Sequence, residues 1–219
     1  MSDYEKLKKD KEIVAYIKAA NDVLGQIGFT EHGLAHAVKT GEDASVILAS
    51  LGFDEHTCEL AKIAGLLHDI GNAVNRTDHA QSGALIAFDL LRARDFAHQD
   101  VIEIITAIGH HDDKTAAPVT PVAAALILAD KSDVRRSRVR NRDHLAFDIH
   151  DRVNYSVAAS NLVINDEKTE VILTLEIDTQ YSSVMDYFEI FLARMMLCKK
   201  AAEKLGLRFR LVINDQFLI

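Results

Sequence analysis

Ala64-Gly65-Leu66-Leu67-His68-Asp69-Ile70-Gly71 is the stretch on which the fold turns. Just upstream, Leu60, Ile63, Ala64 and Leu67 recur at helical spacing as one apolar stripe, and His68 falls beside that stripe, so it faces inward. Successive helical residues diverge by about 100°. His68 and Asp69 can therefore serve one centre only where the helix ends or distorts, and Gly71-Asn72 marks that place. The polar stretch to Asp78 reads as a loop.

Working towards the N-terminus, Thr30 is placed to cap a helix running through His32 and His36 to Leu51, stopped by Gly52. Before it, Ser2 and Glu5 stand at capping-box spacing, and Ile13, Ile17, Ala20, Leu24 and Ile27 predict one first helix ending at Gly28. In the other direction, Ala84, Ala87, Leu90 and Leu91 predict a helix, as does Val101 to Ile108, which runs into His110-His111. Thr120-Pro121 forms an N-cap and N1 pair that launches a buried helix from Val122 to Asp130.

After about residue 160 the apolar period falls from 3.6 to 2. Val171, Leu173, Leu175 and Ile177 alternate as a strand behind an Asn165-Asp166 turn. An amphipathic helix with Val184, Tyr187, Phe188, Phe191, Met195 and Met196 closes at Gly206, before a last strand through Phe209, Leu211 and Ile213. The expected fold is mainly α: a helical bundle over residues 1–159 and a small α+β tail over 160–219, packed on the bundle or at a dimer interface. A homo-oligomer is therefore expected.

The 48% apolar content of 219 residues suits a soluble core. No run of 18 apolar residues appears and the first residues are charged, so the reading is cytoplasmic, with no membrane contact. A net charge of −8 argues against a stable nucleic-acid partner. Cys58 and Cys198 form no Cys-x-x-Cys pair and read as buried hydrophobes.

Seven residues at helix ends or on inward faces can bind metal: His36, His68, Asp69, His79, His110, His111 and Asp130. Imidazole and carboxylate without thiolate suit an open site for divalent iron, manganese, nickel, zinc or cobalt, with magnesium also compatible. Directly after Asp130, Lys131, Arg135, Arg138 and Arg142 recur at intervals of four, three and four, so a continuing helix would align them on one face suited to phosphate. His56, His98, His144 and His150 read as structural or surface residues.

His36, the Ala64–Gly71 segment with its His68-Asp69 doublet, and Ile127-Leu128-Ala129-Asp130-Lys131 together resemble the HD superfamily of metal-dependent phosphohydrolases, over roughly residues 25 to 150. His79 and the His110-His111 doublet resemble the additional histidines of its two-metal branches. The resemblance implies two ions, with His36, His68 and Asp130 on one, His79, His110 and His111 on the other, and Asp69 bridging them as the central catalytic ligand. It also implies a role for His32, which stands where some members carry a ligand for a third ion. Asn72 departs from the lysine of many phosphodiesterase relatives and removes a cation. The implied activity is hydrolysis of a phosphomonoester, phosphoanhydride or phosphodiester in a nucleotide-like or other phosphorylated small molecule, by metal-activated water. Two other classes stay open: an HD-fold di-iron oxygenase, and a non-catalytic metal-bound nucleotide sensor or interaction module.

Overall fold

Helix starts follow the side chains that can satisfy free backbone N–H groups. The computed structural model describes residues 2–113, 115–140 and 149–218. Ser2 caps a short α1 (Asp3–Leu7), and Asp10 accepts from the amides of Glu12 and Ile13 to start α2 (Lys11–Gln26). The single first helix expected from the sequence is thus two, because Asp10 competes for the backbone at residue 10. α3 (Leu34–Leu51) begins at Gly33 and ends on Gly52 at φ +88°. Residues 30–33 precede it instead of forming its first turn, so His32 lies outside the helix.

Asp54 caps α4 (Glu55–Leu67), and a 3₁₀ turn (Ile70–Ala73) follows, the distortion expected at His68-Asp69. Next come α5 (His79–Arg92), α6 (His98–Gly109) and α7 (Pro121–Ser132), the last capped by Thr120 with Pro121 at N1. From Val122 to Ala129 every residue of α7 is buried. It is the central helix, packed against α3, α4, α6 and α9. Its alanines let those helices come close, while full burial of Leu126, Ile127 and Leu128 contributes about 1.5–3 kcal/mol each.

α7 stops at Ser132, and a 3₁₀ turn (Arg136–Arg138) follows, so the helix expected to carry Lys131, Arg135 and Arg138 on one face does not form. The cause is tertiary: the Asp133 side chain turns into the core and receives His36, Arg135 and Arg138. Arg142 lies outside the described residues.

α8 (Ile149–Ser156) leads into β1 (Val157–Ile164), neither of them foreseen as an element. β1 pairs antiparallel with β2 (Glu170–Ile177), so the expected boundary at 159/160 falls inside a strand. A capping box of Ser183 and Asp186 starts α9 (Val184–Lys204), which crosses over to β3 (Arg208–Ile213), parallel to β2. A two-residue β4 (Gln216–Phe217) completes the sheet order β1-β2-β3-β4. Val171, Leu173, Leu175 and Ile177 face inward, and α9 packs on both the sheet and α7. No helix among the described residues is long and apolar enough to cross a membrane.

Two glycine contacts bring the chemistry together. A Cβ on Gly65 would lie 2.4 Å from the Cα and N of Gly41, so α3 and α4 cross backbone to backbone. One on Gly71 would lie 2.0 Å from the His79 carbonyl oxygen and 2.4 Å from Gly83 N, which seats the 3₁₀ turn against the start of α5. Gly65→Ala should therefore cost about 1–3 kcal/mol in urea unfolding, since backbone must move to admit the methyl group. Gly109→Ala, whose new Cβ would meet Ala84 Cβ at an ordinary 3.8 Å, should stay within about 0.5 kcal/mol of the parent.

Candidate metal centre

His36 near the start of α3, His68 at the end of α4, Asp69 beside it, and Asp130 on α7 converge beneath one cavity. His36 and His68 stack edge to face with ring centroids 5.1 Å apart. His36 Nε2 lies 3.3 Å from Asp130 Oδ1 and 3.8 Å from Asp69 Oδ2. His68 Nε2 lies 3.2 Å from Asp69 Oδ2 and 3.7 Å from Asp130 Oδ1. On the other side of Asp69, His79 Nε2 is 3.4 Å and His111 Nε2 3.9 Å from Oδ1, with the two imidazole nitrogens 3.2 Å from each other. Asp69 thus presents one oxygen to each pair of histidines.

The outer nitrogens explain the orientation of the inner ones. Nδ1–H of His68 donates to Gly65 O at 2.7 Å, that of His111 to Ile108 O at 2.6 Å, and that of His79 to Arg76 O at 3.1 Å. His36 Nδ1–H donates to the fully buried Asp133 at 2.7 Å. These acceptors hold each ring with Nε2 turned towards the carboxylates, the arrangement that prepares histidine as a metal ligand. His32 is held the same way by Thr30 O, lines the cavity, and has its ring centroid 5.5 Å from that of His36.

Three buried atoms, His36 Nε2, His68 Nε2 and Asp69 Oδ2, have no hydrogen-bond partner. Leaving such groups unpaired costs about 1–3 kcal/mol each, so their convergence calls for a cation between them. The donor chemistry fits. Ligand atoms of His36, His68 and Asp130 all lie within 4.8 Å of one another, as do those of His68, Asp69 and His111.

Charge is arranged around this cluster. Burial alone would raise Asp69 and Asp130, but His68 beside Asp69, and Lys131 and His36 beside Asp130, hold both well below the usual carboxylate range. Burial would lower His68, yet the charges of Asp69 and Asp130 push it up to about 10. Burial and the neighbouring His68 and Lys131 charges keep His111 well below the usual imidazole value.

The structure does not bring His110 into this group. It lines a separate apolar cavity with Ala84, Phe88 and Ile105. Of the expected phosphate ligands, Lys131 and Arg138 line the central cavity of about 250 Å³, whereas Arg135 turns away and clamps Asp133 through Nε at 2.5 Å and Nη2 at 3.0 Å. Arg76 and Arg194 line the cavity without having been singled out. Nor was Asp133, although its place one helical turn after Asp130 was a signal that the two share a face. Arg194 left no signal, since it reaches the site from the tail.

Residues 33–135 match the family described as HD domain. The chain therefore contains an HD domain over those residues. All six residues that converge here, His36, His68, Asp69, His79, His111 and Asp130, lie within its HD domain. The chain is similar to an uncharacterized protein of Methanocaldococcus jannaschii, 27% identical over 199 residues, covering 79% of this chain and 76% of that protein. It is 33% identical over 124 residues to ribonuclease Y of Opitutus terrae and 32% over 122 to that of Thermus thermophilus. Those matches cover 57% and 52% of this chain, which spans only 22% and 20% of the two ribonucleases.

Two measurements test the centre. The Asp69 and Asp130 charges that push His68 up to about 10 favour its imidazolium form when no metal is bound, whereas a coordinated imidazole is neutral. Loading the ion that His68 would hold should therefore release about one proton per chain in a weakly buffered titration, and its affinity should rise with pH. Asp133→Asn should weaken metal binding by about 10–100-fold with the helical circular dichroism retained, because the residue orients His36 without reaching the cluster.

Proposed function

We propose that this chain is a hydrolase of phosphate esters or anhydrides in nucleotide-like or other phosphorylated small molecules, working with two divalent transition ions. The observation that carries the proposal is Asp69, whose two oxygens face two separate histidine pairs at the floor of a cavity edged by cationic side chains. His36, His68 and Asp130 would hold one ion, His79 and His111 the other, and Asp69 both. Divalent ions held by these residues would supply Lewis acidity for activating water near neutral pH and positive charge for the phosphoryl oxygens.

The chain's own residues do the rest. Lys131 Nζ holds Asp130 Oδ2 at 2.8 Å, which leaves Oδ1 directed at His36 and His68. Arg138 anchors the entry segment through Glu31 O at 2.8 Å and the end of α7 through Asp133 O at 2.6 Å, fixing both walls behind His32 and His36. Asn154 of α8 closes the far wall together with Phe191 and Arg194 of the tail. A cavity of about 250 Å³ suits a small substrate, and the net charge of −8 disfavours a long polyanion. The likeness of part of the chain to ribonuclease Y supports keeping phosphodiesters among the bonds to test.

The decisive experiment is a product screen of the metal-reconstituted chain against nucleotides, sugar phosphates and short diesters. Turnover of at least one substrate should exceed that of Asp69→Ala by more than about 100-fold, the loss expected when a central electrostatic group is removed. Metal-loaded protein that turns over nothing above the Asp69→Ala background would refute the proposal. Dioxygen uptake without phosphate release would replace it with an oxidative reaction.

A further inference from the structure

Arg76, Lys131, Arg138 and Arg194 are the cationic side chains lining the central cavity among the described residues. Three are committed to partners. Lys131 pairs with Asp130 at 2.8 Å and Asp113 at 3.2 Å, and Arg194 pairs with the same Asp113 at 3.0 Å. Arg138 is buried with its donors on two backbone carbonyls. Arg76 differs. Its carboxylate contact, to Asp112, is 3.9 Å long, and its hydrogen bond to Asn72 Oδ1 uses a single Nη1–H at 3.3 Å.

Arg76 is nonetheless held in place. Its guanidinium lies over the Phe29 ring at 5.3 Å, and Nη1 stands 3.3 Å from His79 Nε2. Asn72 fixes the other side. Its fully buried amide donates to both Asp69 Oδ1 and Asp69 O at 2.9 Å while its oxygen accepts from Arg76. An amide can do both because it carries donor and acceptor on one side chain, which neither lysine nor aspartate offers.

We propose that Arg76 is the principal protein ligand of the substrate's phosphoryl oxygens and that Asn72 is its positioning residue; this rests on the hydrolytic reading above. A planar guanidinium with donors to spare, braced by an aromatic face and set beside a metal-ligating histidine, suits bidentate binding of a phosphoryl group held at the centre. The sequence does not flag Arg76, which sits alone in a loop, and it marks Asn72 only as a helix breaker and as the place where a lysine of phosphodiesterase relatives is missing.

The test uses the full chain loaded with manganese and inorganic phosphate as the probe, with affinity read by calorimetry and metal content measured alongside. Arg76→Ala should weaken phosphate binding by at least about tenfold with metal content unchanged. Arg76→Lys should recover part of the loss, because charge remains while the planar fork is gone. Arg92→Ala removes the same charge from an exposed position outside the cavity and should stay within about twofold of the parent. Asn72→Ala should approach the Arg76→Ala affinity, and the double variant should be little worse than either. Phosphate binding by Arg76→Ala within twofold of the parent overturns the proposal, as does a loss that tracks lost metal or a parent that binds no phosphate. A parent that binds phosphate through Arg76 yet hydrolyses nothing overturns the hydrolytic reading and leaves Arg76 as a phosphate ligand of a non-hydrolytic site. Turnover that ignores Arg76→Ala does the reverse.

Discussion

The close crossing of α3 and α4 at Gly41 and Gly65 is the contact on which the rest of the site depends. Any side chain at Gly65 would meet the Gly41 backbone, so the two helices approach to a distance that only glycine permits. His36 lies just over one turn before Gly41 and His68 just under one turn after Gly65, so this crossing sets the spacing of the two imidazoles. Gly71 repeats the device at the next junction, where the 3₁₀ turn meets α5 and delivers Asp69 to His79. Small residues here serve geometry more than packing.

Around these junctions the fold gathers charge that a helical core would otherwise avoid. Asp69, Asp130 and Asp133 are buried or nearly so, and burial of an ionised carboxylate is costly unless partners surround it. Asp133 is satisfied within the chain by His36, Arg135 and Arg138. Asp69 and the inner nitrogens of His36 and His68 are not fully satisfied, and the unpaired atoms face one another. That contrast separates a supporting carboxylate from a candidate ligand. It also explains why α7 ends at Ser132: satisfying His36 with Asp133 outweighs the small gain of another helical turn.

The tail is part of the same design. The HD-domain match ends at residue 135, yet Asn154 on α8 and Phe191 and Arg194 on α9 form a wall of the cavity. Arg194 pairs with Asp113, Asp113 with Lys131, and Lys131 with Asp130, so an ionic chain runs from the tail helix to a candidate ligand in the HD domain. The cavity is therefore built partly by residues beyond the domain that carries the candidate metal-binding residues.

Local pattern by itself determined the helical body, the capped start of α7, the stop at Gly52, the break after His68-Asp69 and the change to strands near residue 170, because each depends on neighbours within a turn or two. It also marked His36, His68, Asp69, His79, His111 and Asp130, whose residue types and spacing point to metal chemistry before any contact is known. Only the tertiary structure decided that His110 faces another cavity while its neighbour His111 turns inward, since adjacent residues at a helix end diverge and packing chooses between them. It likewise withdrew Arg135 from the cavity and brought in Arg76 and Arg194. A cation's role depends on which carboxylate or cavity lies opposite it, and that partner belongs to a different element, far away along the chain.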